Sequence, residues 1–132
     1  MLDYLIFFGL LIFAIVCFFL RKPPEIKYDP VVRCESPIER RLYYALIREG
    51  YSVVPQVRCG KYRIDLAIPS LSLAIECDGK AYHSSPKQKT HDYRKNAFLR
   101  KHGWQVLRFT GSQINGKMTQ VIAKINKVAG AE

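Results

Sequence analysis

At 132 residues the chain has room for one domain and an appendage, and too little for two separate cores. Its 21 Lys and Arg against 11 Asp and Glu leave a net charge of +10, which argues against a cationic partner and for a polyanion, either nucleic acid or an anionic lipid surface. The cysteines at 17, 34, 59 and 77 form no C-x-x-C pair and no zinc spacing, so a zinc module is set aside and reduced, cytoplasmic thiols are expected.

From Tyr4 to Leu20 the chain runs 17 residues without a charge and is apolar on every helical face. Such a helix rises about 25 Å, slightly less than a ~30 Å hydrocarbon core, and Tyr4, Arg21 and Lys22 can reach the two interfaces. A cleaved signal peptide would need a basic lead and small residues at the cleavage site, whereas this run starts Met-Leu-Asp and ends Phe-Phe-Leu-Arg-Lys-Pro-Pro. Residues 1–22 are therefore expected to be an uncleaved transmembrane anchor, with 23–35 a proline-broken linker. The basic residues that follow the span put the remaining domain, 36–132, in the cytoplasm, making a single-pass membrane protein. All 21 basic residues and 10 of the 11 acids lie beyond the span, so the soluble part carries 21 − 10 = +11.

A short strand at Val31-Val32 is conceivable, with nothing nearby to support it. Ser36-Pro37-Ile38-Glu39 has the capping-box pattern with Pro at the first helical position, and Ile38, Leu42, Ala45 and Leu46 recur at helical spacing, predicting a helix over 37–49. Residues 51–58 read as a strand interrupted at Pro55, which implies an edge or a bulge. Two further strands, 62–68 and 73–78, are separated by Pro69-Ser70. Residues 80–89 are polar and read as a loop. A helix then opens at Thr90 or His91, carries Tyr93, Ala97 and Leu99 inward, and ends at Gly103. Trp104 to Phe109 alternates as a fourth strand, with Val106 and Arg108 on one face and Leu107 and Phe109 on the other. Ile114, Met118, Val121, Ile122, Ile125 and Val128 trace a final amphipathic helix. The expected architecture is α/β: a mixed four-stranded sheet in the order αβββαβ with flanking helices, the fourth strand free to run parallel after its helical crossover.

Within the hairpin, alternation projects Glu76 and Asp78 to one side of their strand, and Asp65 on the preceding strand pairs onto the same face. Carboxylates gathered in this way repel one another unless protonated, paired with a base or bridged by a cation, and oxygen-only sets suit Mg²⁺ or Mn²⁺.

Glu39, Tyr62-x-x-Asp65, Ile75-Glu76-x-Asp78-Gly79, His83, Asp92-x-Arg94, Leu99, Gly103 and Val106-Leu107-Arg108-Phe109 together resemble a family of small uncharacterised proteins. That family is related to the very-short-patch-repair endonucleases of the PD-(D/E)XK, restriction-endonuclease-like superfamily, and the likeness runs from about Ser36 to Ile114. It implies a helix-sheet-helix core and divalent-metal-dependent cleavage of DNA. Asp65 matches the first catalytic aspartate and Glu76 the acidic residue of the D/E-x-K element, while Asp78 stands where the superfamily usually has lysine. Lys80, His83, Arg94 and Lys95 are the candidates to supply the missing positive charge.

The roles that follow are Asp65, Glu76 and Asp78 as metal ligands, His83 as a proton acceptor or phosphate contact, and Glu39 as a helix cap or a further acid at the site. Asp92 is read as a helix cap or first-turn acid. Lys80, Arg94, Lys95 and Arg108 are expected on nucleic-acid phosphates, and Arg100 and Lys101 on a solvated face. The leading expectation is a membrane-anchored, Mg²⁺- or Mn²⁺-dependent DNA endonuclease. The alternatives are a tethered, non-catalytic nucleic-acid-binding module and a lipid-attracted scaffold for a protein partner.

Overall fold

The computed structural model describes Met1, Tyr4, residues 6–9, Ile12, residues 30–79 and residues 85–130. The expected anchor falls mostly outside these residues, as do Lys80 and His83. Among the described residues no helix is long and apolar enough to cross a membrane.

Pro30–Arg33 is a 3₁₀ turn that tucks Val31 into the core, rather than a strand. The fixed φ of Pro30 suits a turn. Helix α1 (Pro37–Arg48) starts where predicted, because Ser36 Oγ accepts from Glu39 N at 3.2 Å and Pro37 sacrifices no hydrogen bond at its first turn.

Strands β1 (Val54–Cys59), β2 (Tyr62–Ile68), β3 (Leu73–Asp78) and β4 (Gln105–Thr110) lie side by side in that order. The first three are antiparallel neighbours joined by short turns. Helix α2 (Pro86–Lys101) then crosses over, so β4 runs parallel to β3, with Glu76 opposite Arg108 and Asp78 opposite Thr110. Helices α3 (Gly111–Gly116) and α4 (Met118–Ala129) close the chain; Lys117 breaks the single helix expected there into two. The mixed αβββαβ sheet is thus the one expected from sequence.

Two apolar layers sandwich the sheet. Leu42, Tyr43 and Leu46 of α1, with Ile114, Val121 and Ile125, cover Leu66, Ile68, Leu73, Ile75 and Phe109 on one face. On the other, Leu99 of α2 packs on Ile64, Ala67 and Ala74, with Val57, Trp104 and Val106 at its margin. Ile64 and Leu66 belong to different layers although only two residues apart. Strict alternation would keep them together, so β2 breaks its pleat at Asp65. Across from Asp65 in the β1–β2 register stands Gln56, with a left-handed φ of 55°, the irregularity that Pro55 announced.

Helix α2 begins four or five residues earlier than predicted. Ser85 caps it, accepting from Gln88 N at 3.3 Å, with Pro86 at its first position, the same Ser-Pro signature that opens α1. Its inward face also differs from expectation: Tyr93 is 74% exposed and Ala97 is exposed, whereas Asp92 and Leu99 are buried and Lys95 and Asn96 half-buried. The periodicity misleads because most of the face turned to the sheet is polar.

Candidate active site

Continuing the β2–β3 register one step past Leu66 and Ile75 sets Asp65 opposite Glu76. Asp65 Oδ2 accepts the Cys77 N–H at 2.8 Å, a side chain substituting for a ladder carbonyl where the pleat breaks. Burial raises the Asp65 pKa, with Glu39 and Asp78 adding to the rise, while the Cys77 N–H and Lys95 hold it down.

Glu76 is 3% exposed. Its Oε2 accepts a hydrogen bond and ion pair from Lys95 Nζ of α2, while its buried Oε1 has no hydrogen-bond partner among the described residues. Burial, and then the negative charge of Asp65, push its pKa from an ordinary 4.5 up to about 7, against the pull of Lys95 and Arg108. Burial also pushes the Cys77 thiol upward, which makes it a structural rather than a reactive cysteine.

An acid whose folded pKa is raised stabilises the fold fully below its unfolded pKa and loses that contribution as pH climbs through the folded value. In chelator, the melting temperature of the wild type relative to a Glu76→Gln variant should therefore fall between about pH 5 and pH 8. A difference that stays flat with pH would show that Glu76 titrates as an ordinary carboxylate. The check is a pair of thermal melts across that range.

Asp78 is engaged differently from Asp65 and Glu76. Arg108 Nε donates to its Oδ2 at 3.0 Å and Nη2 to its Oδ1 at 2.7 Å, a bidentate pair that raises the Arg108 pKa further. The same guanidinium lies 3.5 Å from Asp92 Oδ2 and donates from Nη1 to Asn96 Oδ1 at 3.3 Å. Among the described residues no three His, Cys, Asp or Glu side chains are grouped to hold a metal ion. The expected three-carboxylate ligand set is thus not assembled, because both oxygens of Asp78 are taken by Arg108. Arg108, expected on phosphates, faces these inner acids and would have to break the pair to reach one. Asp92 is likewise neither a cap nor a first-turn acid: it sits in the second turn of α2, buried, and accepts from Gln88 Nε2 at 3.3 Å.

Glu39 serves both roles left open for it. It completes the cap of α1, with Oε1 accepting from Ser36 Oγ and Oε2 from the Glu35 N–H, each at 2.9 Å. It is also buried, and near enough to Asp65 to raise that residue's pKa. Gln56 Nε2 donates to Glu39 Oε2 at 2.9 Å, so the left-handed residue of β1 across from Asp65 ties α1 to the site. Gln56 and Asn96 escaped the sequence reading. Only the proline interrupting β1 hinted at the first, and an amide on a polar helix gives no signal for the second. Of the four candidates for the missing positive charge, Lys95 is the one seen beside Glu76. Arg94, next to it in sequence, is exposed, and Lys80 and His83 fall outside the described residues.

A strand-borne acidic pair, a helix-borne lysine and a four-stranded mixed sheet between helical layers define a nuclease-like α/β domain. The family model REase_MTES_1575, a restriction-endonuclease-like domain, matches residues 38–128. The chain belongs to that restriction-endonuclease-like family. Among solved structures it is similar to the catalytic domain of the homing endonuclease I-Bth0305I, at 23% identity and a TM-score of 0.59 over 71% of this chain and 94% of that one, a likeness of fold. No curated protein matches it.

Proposed function

We propose that the chain is a divalent-metal-dependent endonuclease that hydrolyses DNA phosphodiester bonds, held at a membrane by residues 1–22 with its catalytic domain on the cytoplasmic side. The observation that carries the reading is the orphaned Oε1 of Glu76, a buried acceptor beside Asp65 in a family named for restriction endonucleases. A buried carboxylate oxygen without a donor is costly, and a hard cation such as Mg²⁺ or Mn²⁺ would satisfy it.

Asp65 and Glu76 are the proposed ligands. A cation bound there would polarise the scissile phosphate and lower the pKa of the attacking water. The Cys77 N–H fixes the orientation of Asp65, and Lys95 favours the ionised form of Glu76 against burial and offers its ammonium to a phosphate oxygen. Asp78 and Arg108 brace the ends of β3 and β4, and Glu39 borders the site with its oxygens already engaged. Arg94 and Lys80 are proposed backbone contacts, and His83 a proton acceptor near them.

Incubating the protein with plasmid DNA and Mg²⁺ or Mn²⁺ tests the proposal. Nicking or linearisation should appear, vanish in chelator, and drop at least about 10²-fold in Glu76→Gln. Asp78, standing where the superfamily usually has lysine and spent on Arg108, favours a second reading, a non-catalytic nucleic-acid-binding module. Salt-sensitive binding that survives Asp65→Ala and Glu76→Ala, with no cleavage under either cation, would select it.

A further inference from the structure

Lys61, Tyr62, Lys87, Thr90, His91 and Arg94 line a surface cleft of about 550 Å³ between the β1–β2 turn and the first turns of α2. Positions 87, 90, 91 and 94 recur at helical spacing and share one face of α2, whereas Gln88, Asp92, Lys95 and Leu99 form another, turned to the carboxylates and the core. The cleft and the acidic pair therefore flank the same helix. The turn is pinned to that helix: Gly60 has a φ of 56°, and a Cβ placed on it would lie 2.6 Å from Phe98 Cζ, so only glycine lets the ring sit against the backbone. Tyr62 next to it meets Phe98 and His91 edge-on, at centroid distances of 5.2 and 5.9 Å. The floor of the cleft is thus built into the fold.

Its charge is unanswered. Among the described residues Lys61, Lys87 and Arg94 form no ion pair, and the Lys61 ammonium lies 5.3 Å over the Tyr62 ring. Asp92, 3.8 Å from His91 Nδ1, already faces Arg108. Three cations unpaired among the described residues, with a tyrosine and a histidine beside them, offer donors of the kind that suit phosphate oxygens.

We infer that this cleft grips one or two backbone phosphates of a nucleic-acid strand and so sets which bond falls at Asp65 and Glu76, a role that rests on the nuclease reading. Asp65 lies three positions along β2 from Tyr62, about 10 Å along the strand. At about 3.4 Å of helix rise per nucleotide this corresponds to roughly three steps from the scissile bond.

Fluorescence anisotropy with a labelled duplex in chelator reads binding apart from cleavage. The triple variant Lys61→Ala/Lys87→Ala/Arg94→Ala should bind about 10–100-fold more weakly, with the log–log salt slope reduced by about 1–2. A charge-matched variant, Arg41→Ala/Arg48→Ala/Lys127→Ala, takes three exposed cations from the opposite helical layer and should lose far less. On an end-labelled duplex with Mg²⁺, the cleft variant should also spread the cleavage positions. Equal losses in both variants, no loss in the cleft variant, no salt-dependent DNA binding by the wild type, or a loss confined to phosphatidylserine vesicles would each overturn the inference. Cleft-dependent binding without cleavage under any divalent cation would instead remove the nuclease reading and leave the phosphate contact standing. Melting temperatures within a few degrees of wild type establish that the variants are folded.

Discussion

Replacing Lys95 with methionine is expected to lower the single-turnover rate of DNA cleavage by about 10²–10⁴-fold at neutral pH, with little loss of folded protein. Lys95 is 14% exposed and spends its ammonium on Oε2 of Glu76, whose other oxygen has no partner among the described residues. Without that charge the carboxylate can escape burial only by taking up a proton, and its pKa, already about 7, moves higher. Protonation limits the cost to stability and at the same time removes the negative oxygen that a cation needs. The acid limb of the pH–rate profile should therefore shift to higher pH, and part of the lost activity should return at about pH 9. Lys95→Arg should recover only part of the rate, because a planar guanidinium does not replace a compact ammonium in a half-buried site. Cleavage by Lys95→Met within threefold of wild type, with an unmoved profile, would reduce Lys95 to a structural counter-ion.

The largest expected effect on stability comes from Arg108. Arg108→Met leaves Asp78 at the end of β3 and Asp92 in the second turn of α2 without the guanidinium that bridges them. Breaking a largely buried pair from one side costs about 3–5 kcal/mol, and the 17–23% exposure of Asp78 and Arg108 brings the expectation to about 2–4 kcal/mol. The double variant Arg108→Met/Asp78→Asn should regain most of that, since the orphaned charge is the chief penalty. Urea denaturation can be followed through Trp104, the single tryptophan, half-buried at the edge of the α2 layer. A single variant within 0.5 kcal/mol of wild type, far below the about 2–4 kcal/mol expected, would mean that solvent already screens the pair.

The sheet was legible because its signals are local. The apolar run in 62–68, alternation in 73–78 and 104–109, the turn at Pro69 and the helical spacing after Ser36 each constrain one element, and the short links leave few topologies. Helix α2 was less legible for a physical reason. A helix that turns Gln88, Asp92, Lys95 and Asn96 toward the sheet has no apolar stripe to betray its inner face, so the sequence points to a start at Thr90 or His91 and, of the three residues it turns inward, only Leu99 is buried. The acidic pair followed from strand parity together with the family likeness, which also left Lys95 among four candidates. That Lys95 is the one seated beside Glu76 depends on where the crossover sets α2 above β3, a long-range placement that spacing in sequence does not encode. The same holds for Arg108, whose partner lies on a strand 30 residues earlier.

Pro55 and Gln56 carry one more implication, for self-association. They sit on β1, a terminal strand of the sheet. Proline offers no N–H, and the left-handed residue beside it turns the backbone out of line, so the outer rim of β1 lacks the continuous row of donors that a second copy would need to zip onto it. Dimers or fibrils seeded by strand addition along that rim are disfavoured, so crowding this domain would not by itself zip copies together through their sheets.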